Sequence, residues 1–140
     1  MSIKPQTYVI DIETIPLPLE KREFGRPSEK NIKYGNLKDK VKRAKKLAEF
    51  KSDWNEGSGC ALKAEYGQIA LIGLQQIGND EIEIFDGDGD EWQLLSAFWD
   101  RIKDLCIEDT LVGHNLKSFD VPFIIRRCMI HGIKGQEVGV

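Results

Sequence analysis

Residues 7–14 read TYVIDIET. This short segment predicts the first strand of a sheet, and the order of strands and helices that we expect is built around it. Its β-branched and aromatic residues predict a buried strand over Thr7–Ile12, which the prolines at positions 16 and 18 end. Side chains two residues apart on a strand share a face, so Asp11 and Glu13 point the same way, about 6.6 Å apart along the strand. Two such carboxylates repel each other, and placing them together costs free energy unless they are hydrated, paired or bound to cations.

The segments that follow predict the order β-β-β-α-β-α. Three antiparallel strands followed by helical crossovers indicate an α+β or α/β sheet with mixed pairing. A right-handed crossover would return the fourth strand parallel to the first. The predicted elements are a strand buried on both faces at 67–77, a turn at 78–80, a strand at 81–85, a helix at 91–107 capped by Asp90, a strand at 111–113 and a helix at about 120–131.

The length of 140 residues fits one domain, within which residues 19–64 form a predicted insertion. A helix is expected at 37–54, with a narrow apolar stripe that includes Val41, Leu47 and Phe50. Residues 16–64 hold 13 Lys and Arg against 7 Asp and Glu, a net of +6, which leaves −9 for the rest of a chain whose net charge is −3. A basic segment beside an acidic body suits a protein that attracts a polyanion, although a solvated charged helix explains the segment equally well.

Several classes of protein are disfavoured by composition. The three cysteines form no Cys-x-x-Cys pair and there are only two histidines, which argues against a disulfide framework, a zinc site or a histidine-rich metal site. No apolar run approaches the roughly 18 residues of a membrane span, and residues 1–6 lack the apolar core of a secretory signal. We therefore expect a cytoplasmic protein with no membrane partner.

A second polar segment, GHNLKSFDVPF at 113–123, links the predicted fourth strand to the last helix. Asp120 begins this helix, with Pro122 in its first turn, so the simplest role for Asp120 is that of helix N-cap. If the first and fourth strands pair, however, Asp120 lies beside the face that carries Asp11 and Glu13. Hard Mg²⁺ prefers such carboxylate oxygens.

These two segments resemble known exonuclease motifs. DIET at 11–14 resembles the first motif of the DEDD group of 3′–5′ exonucleases, and GHNxxxFDxP at 113–122 is similar to the second. The likeness is greatest to the proofreading domains of family B DNA polymerases and their stand-alone relatives, and it extends to residues 64–73 and 90–95. It covers most of 7–131 apart from the insertion, and it implies a ribonuclease H-like α/β fold.

The resemblance also implies an activity and its residues. The implied reaction is hydrolysis of the phosphodiester bond at the 3′ end of DNA by a two-metal mechanism, with single-stranded DNA or DNA 3′ ends as partners. Two Mg²⁺ or Mn²⁺ ions would be held by Asp11, Glu13 and Asp120. The pocket for the terminal nucleotide would be lined by Thr14, Asn115 and Phe119, and Lys117 would contact a phosphate. Phe119 could equally belong to the core, and a single loop lysine such as Lys117 usually faces water.

The sequence departs from the family in its third motif, which needs a further aspartate with a Tyr or His a few residues before it. After Asp120 there is no Asp and no Tyr. We expect residues 132–140 to form a loop and the second metal site to be incomplete. The domain is then truncated before its last strand and helix, completed by a second chain, or a degenerate binding module.

The sequence leaves three functions open. The first is a 3′–5′ exonuclease acting on DNA. The second is a catalytically incomplete domain that binds single-stranded nucleic acid through the basic insertion, or binds another partner. The third is a different ribonuclease H-like nuclease that uses the same carboxylates on RNA or an RNA–DNA hybrid.

Overall fold

The computed structural model describes residues 4–134, which divide into two compact units. One unit contains the chain up to Ile15 together with the chain from Gln68 onward, and the other is Pro16–Gly67. The second unit contains the segment predicted as an insertion at 19–64. Most of the loop predicted at 132–140 lies outside the described residues.

A four-stranded mixed sheet forms the centre of the first unit. Its strand order is β3-β2-β1-β4, with β1 parallel to β4 and β2 antiparallel to β3. The N–H of Ile77, just after β2, donates to the carbonyl of Thr7, so β1 and β2 also run antiparallel. The α/β class, the three antiparallel strands and the parallel return of the fourth strand are therefore confirmed. The strands are β1 Thr7–Pro16, β2 Gly67–Gln76, β3 Glu83–Phe85 and β4 Thr110–Val112.

The two faces of the sheet differ in burial. On β1, Tyr8, Ile10 and Ile12 are buried, whereas Asp11 and Glu13 on the alternate positions are exposed. The shared face of the two carboxylates is confirmed, and the strand predicted to be buried is buried on one face only. The expected burial of β2 on both faces is also only partly met, because its alternate positions are half-buried. Strand register places Val9 next to Val112, and these two valines are 40% and 37% exposed.

Helices α3 (Glu91–Ile102) and α4 (Val121–Ile130) complete the first unit. The side chain of Asp90 accepts a hydrogen bond from the N–H of Gln93 at 3.1 Å, which confirms the predicted cap of α3. Phe98 of α3 packs edge-on against Phe85 of β3, with ring centroids 5.4 Å apart. The helix ends five residues earlier than predicted. Directly after it, the Asp109 carboxylate accepts the backbone N–H groups of Cys106 and Gln6, each at 2.8 Å, and holds the segment in a non-helical path to β4.

A buried ionic cluster joins α3, α4 and β2, and the sequence did not predict it. Glu91 and Arg127 have side chains only 4% exposed, and their charged atoms lie 2.6 Å apart. Glu91 also accepts the backbone N–H of Ile69 and lies 2.7 Å from Nε2 of His131. Since a buried charge is costly without partners, these contacts satisfy the charges of Glu91 and Arg127 and link the two helices to the sheet.

The second unit contains α1 (Leu19–Arg22), three single 3₁₀ turns (Glu23–Gly25, Glu29–Asn31 and Cys60–Leu62) and the longer α2 (Lys40–Glu56). Arg22 is 3% exposed, and its guanidinium donates to the carbonyls of Leu17, Trp54 and Asn55. Asp39 caps the N-terminus of α2, and Gly57, with φ of 79°, ends it. None of the α2 residues is fully buried, and Val41 is 79% exposed, so the predicted apolar stripe is wrong at that position.

Among residues 4–134, no helix combines the length and the apolar character needed to cross a membrane.

Candidate active site

Strand β1 places Asp11 and Glu13 on its exposed face. The alternation along the strand follows from the pleat, which turns Ile10 and Ile12 into the core and the two carboxylates away from it. Val9 on the same face pairs in register with Val112, the last residue of β4. Because β1 and β4 are parallel, the chain leaving β4 continues beside the part of β1 that carries Asp11.

Gly113 allows a close approach between this departing chain and β1. A Cβ atom built on Gly113 would lie only 2.6 Å from the carbonyl oxygen of Ile10, a separation that real Cβ atoms do not tolerate. The absence of a side chain therefore lets the segment that begins at His114 pass directly over the backbone next to Asp11.

A tight turn then leads to Asp120. Asn115 has a left-handed conformation, with φ of 54°, which Asn tolerates better than most residues. Residues Leu116–Asp120 form a single π-helical turn in which the carbonyl of Leu116 accepts the N–H of Val121. Asp120 itself has helical dihedral angles, and its side chain makes no capping hydrogen bond. Asp120 therefore stands at the N-cap position of α4, as predicted, but its side chain does not cap the helix, because the π turn gives this residue helical rather than extended dihedral angles.

Asp120 is instead a buried carboxylate with an unused oxygen. The residue is 4% exposed, and Oδ2 has no hydrogen-bond partner among the described residues. Burial raises the pKa of Asp120, and the negative charge of Asp11 raises it further. A hydrogen bond from its own backbone and the proximity of His114 act in the opposite direction. Asp11, His114 and Asp120 are therefore close enough to interact electrostatically.

Glu13 is not among the charges that shift the pKa of Asp120. Within the part of the chain that the structure describes, no three His, Cys, Asp or Glu side chains lie together in an arrangement that could hold a metal ion. The three predicted carboxylate ligands are thus placed as an interacting pair, Asp11 and Asp120, with Glu13 two residues further along the exposed face of β1.

His114 lowers the pKa of Asp120 through its charge, an effect that the sequence did not indicate. His114 belongs to the polar segment at 113–123, and this position is the feature of the sequence that could have indicated its proximity to Asp120. No periodicity distinguishes His114 from an ordinary exposed loop histidine. Its electrostatic effect on Asp120 is therefore evident only from the structure.

The remaining predicted site residues lie on the same segments. Asn115 and Lys117 are exposed, and Thr14, near the end of β1, is half-buried. Phe119 is half-buried, with its ring 5.4 Å from that of the buried Phe123. Phe119 thus packs against Phe123 of α4 and remains partly exposed.

The donor set at Asp11 and Asp120 fits a hard divalent cation. A buried carboxylate oxygen without a partner is costly, and a nearby second carboxylate increases the repulsion. Mg²⁺ and Mn²⁺ would supply the missing positive charge and accept oxygen ligands, commonly from one or two carboxylates with water in the other positions.

Comparison with known proteins gives one partial relationship. No protein-family model matches the chain. The chain is similar to DNA polymerase 2 of Aeropyrum pernix, with 36% identity over 67 residues, which is 47% of this chain and 8% of the polymerase. The chain thus matches less than a tenth of the length of this relative.

Proposed function

We propose that this protein is a ribonuclease H-like 3′–5′ exonuclease that hydrolyses DNA with the help of divalent cations. The observation that carries the proposal is the buried, unpartnered Oδ2 of Asp120, which lies under the electrostatic influence of Asp11. A bound cation would give this oxygen a partner. No capping hydrogen bond supports the alternative role of Asp120 as a helix cap.

The sheet and the comparison both support this function. The strand order β3-β2-β1-β4, with β4 parallel to β1, is the order expected of the first part of a ribonuclease H-like sheet. The similarity to an archaeal DNA polymerase over 67 residues supports a role on DNA. Both agree with the resemblance of residues 11–14 and 113–122 to exonuclease motifs.

Each residue of the site has a definite task in this proposal. Asp11 and Asp120 hold a divalent cation, which when bound lowers the pKa of water and stabilises charge on the scissile phosphate. His114 moderates the negative charge of the pair. The exposed part of the Phe119 ring and the side chains of Thr14 and Asn115 position the terminal nucleotide, and Lys117 contacts a phosphate.

Glu13 and the second cation are a separate part of the proposal. Two cations need more oxygen ligands than the pair Asp11–Asp120 provides. Glu13 supplies a further carboxylate from the same face of β1. The last ligand would come from a segment outside residues 4–134 or from a second chain.

The test is digestion of a 5′-labelled single-stranded DNA in Mg²⁺ or Mn²⁺. Wild-type protein should shorten the DNA stepwise from its 3′ end, and Asp11→Asn and Asp120→Asn should reduce the rate by at least about 100-fold because they remove cation ligands. The matched control is Asp104→Asn, since Asp104 is exposed and its side chain makes no hydrogen bond or ion pair among residues 4–134. Equal digestion by wild type and all three variants would contradict the proposal.

A non-catalytic nucleic-acid-binding domain is the second candidate. It is favoured by the absence of a three-residue metal cluster among residues 4–134 and by the exposed basic residues of the second unit. In that case DNA would bind with salt-dependent affinity but stay intact in every cation, and Asp11→Asn and Asp120→Asn would leave binding unchanged.

A further inference from the structure

The strongest concentration of charge on the protein lies in the second unit, away from the carboxylate segments in sequence. Residues 30–46 contain eight Lys and Arg but only one acidic residue, Asp39. The Asp39 carboxylate accepts the N–H groups of Val41 and Lys42 and is engaged as the cap of α2. All eight basic residues are exposed.

Two side chains of α2 hold the loop before the helix against its first turns. The guanidinium of Arg43 donates to the carbonyl of Leu37 and stacks on Tyr34, 4.9 Å from the ring centroid. The ammonium of Lys46 donates to the carbonyl of Lys33 and lies 6.0 Å from the same ring. These contacts hold the loop against the helix. We call the six other exposed lysines of this segment the lysine surface: Lys30, Lys33, Lys38, Lys40, Lys42 and Lys45.

Folding does not explain this lysine surface. Among the residues that the structure describes, none of its six members makes a salt bridge; Glu49 stands one turn beyond Lys45 without pairing with it. Cations near a helix N-terminus are opposed by the helix dipole, and like charges three residues apart, as in Lys42 and Lys45, repel. The charges of these lysines are therefore not offset by salt bridges within the described residues, and an external polyanion would offset them.

We propose that the lysine surface binds the phosphate backbone of double-stranded nucleic acid without regard to sequence. The choice of nucleic acid as the polyanion rests on the proposed function. The choice of duplex rests on Tyr34: single-strand sites stack bases on open aromatic rings, whereas this ring is half-buried and covered by Arg43 and Lys46. A duplex presents twice the charge density of one strand, which suits a surface that offers only cations.

A membrane surface fits less well. Helices that lie on membranes expose Trp, Phe or Leu beside their lysines. In α2 the three large apolar residues Leu47, Phe50 and Trp54 are half-buried within the second unit, and Val41 is left as the exposed branched residue beside the lysines.

The test is binding of the full chain, in EDTA, to a fluorescently labelled 24-base-pair blunt duplex, followed by anisotropy over a range of salt concentrations. EDTA prevents hydrolysis, so this measurement does not depend on the exonuclease. The variant is the triple substitution Lys38→Gln, Lys42→Gln and Lys45→Gln. The matched control is Lys21→Gln, Lys51→Gln and Lys63→Gln, which changes the net charge equally within the same unit but outside residues 30–46.

The wild type should bind the duplex more tightly than either of its single strands. The variant should lose about tenfold or more in affinity at 50 mM salt, with the slope of log K against log salt reduced by about 1 to 3, while the control loses much less. Equal losses in variant and control, tighter binding to the single strands, or lysine-dependent binding to anionic vesicles but not to duplex would each overturn the proposal. If duplex binding depends on the lysine surface but the protein digests no DNA in Mg²⁺ or Mn²⁺, only the proposed exonuclease is overturned. If the protein digests DNA but its duplex binding does not depend on the lysine surface, only the proposal for the lysine surface is overturned.

Discussion

The negative charge of Asp11 raises the pKa of Asp120, although 109 positions separate the two residues in the sequence. The parallel pairing of β1 and β4 and the close passage of Gly113 over Ile10 bring the two carboxylates into the same neighbourhood. The candidate site thus depends on a backbone contact as much as on its acidic residues.

The coupling of these carboxylates can be measured directly. Asp11→Asn removes a charge that raises the pKa of Asp120, so the titration of Asp120 should move to lower pH while staying above that of an ordinary aspartate, because burial is the larger cause. Carboxyl-carbon NMR through a pH titration reports this shift. Glu13→Gln is the control and should have the smaller effect. An Asp120 titration that Asp11→Asn leaves in place would show that the two carboxylates do not interact.

The raised pKa of Asp120 also predicts how stability depends on pH. A carboxyl whose pKa is higher in the folded than in the unfolded state lowers the stability of the fold as pH rises: the penalty is absent below the unfolded value near 3.8, grows above it and is complete above the folded pKa. Asp120→Asn should therefore raise the thermal midpoint relative to wild type at pH 7 in EDTA, and this advantage should shrink towards pH 4. Asp104→Asn should change the free energy of unfolding by no more than about 0.5 kcal/mol at either pH. A penalty from Asp120→Asn that is the same at pH 7 and pH 4 would contradict the raised pKa.

Gly113 should be intolerant of any side chain. Gly113→Ala places a Cβ atom 2.6 Å from the Ile10 carbonyl oxygen, and because that atom belongs to the backbone, relief requires the strand or the loop to move. We expect a loss of about 1 to 3 kcal/mol in the free energy of unfolding, measured with urea. The control is Gly73→Ala in β2, where the nearest atoms are 3.9 Å or more away and an added methyl group fits. Similar losses from both substitutions would contradict the role given to Gly113.

The buried cluster around Glu91 should contribute far more to stability than the surface pair Arg101–Glu83. Glu91→Gln removes the carboxylate that contacts Arg127 in a buried setting, with an expected loss of about 3 kcal/mol or more. Glu83→Gln breaks a pair whose carboxylate side chain is 42% exposed, and it should lose about 1 kcal/mol or less. Urea denaturation of both variants tests the difference, and equal losses would show that the buried cluster does not hold the helices to the sheet.

Local patterns in the sequence were sufficient for most of the sheet. The alternation through Tyr8, Ile10 and Ile12 fixes the face on which Asp11 and Glu13 lie, and the Asp90 cap marks the start of α3. The predicted helix ends were less accurate: the side chain of Asp109, which binds backbone groups of Gln6 and Cys106, stabilises a non-helical path to β4, and no local pattern announces that contact.

Long-range partners could not be predicted from the sequence. Arg22 is buried against the carbonyls of residues more than thirty positions away as well as that of Leu17, and no local pattern indicates this. Glu91 and Arg127 find each other only after α3 and α4 have packed. The π turn before α4 has no recognised sequence signature, and it changes Asp120 from an expected cap into a buried carboxylate with an unused oxygen.

The most direct measurement is the binding of Mn²⁺ in the absence of DNA, followed by the loss of the free-ion electron paramagnetic resonance signal as protein is added. If Asp11 and Asp120 form a cation site, wild-type protein and Asp104→Asn should bind one Mn²⁺ with the same affinity, and Asp11→Asn and Asp120→Asn should each bind it at least about tenfold more weakly. If all four proteins bind Mn²⁺ equally, or none binds it, the unpartnered oxygen of Asp120 is not a cation ligand and the proposed exonuclease site does not exist in this form.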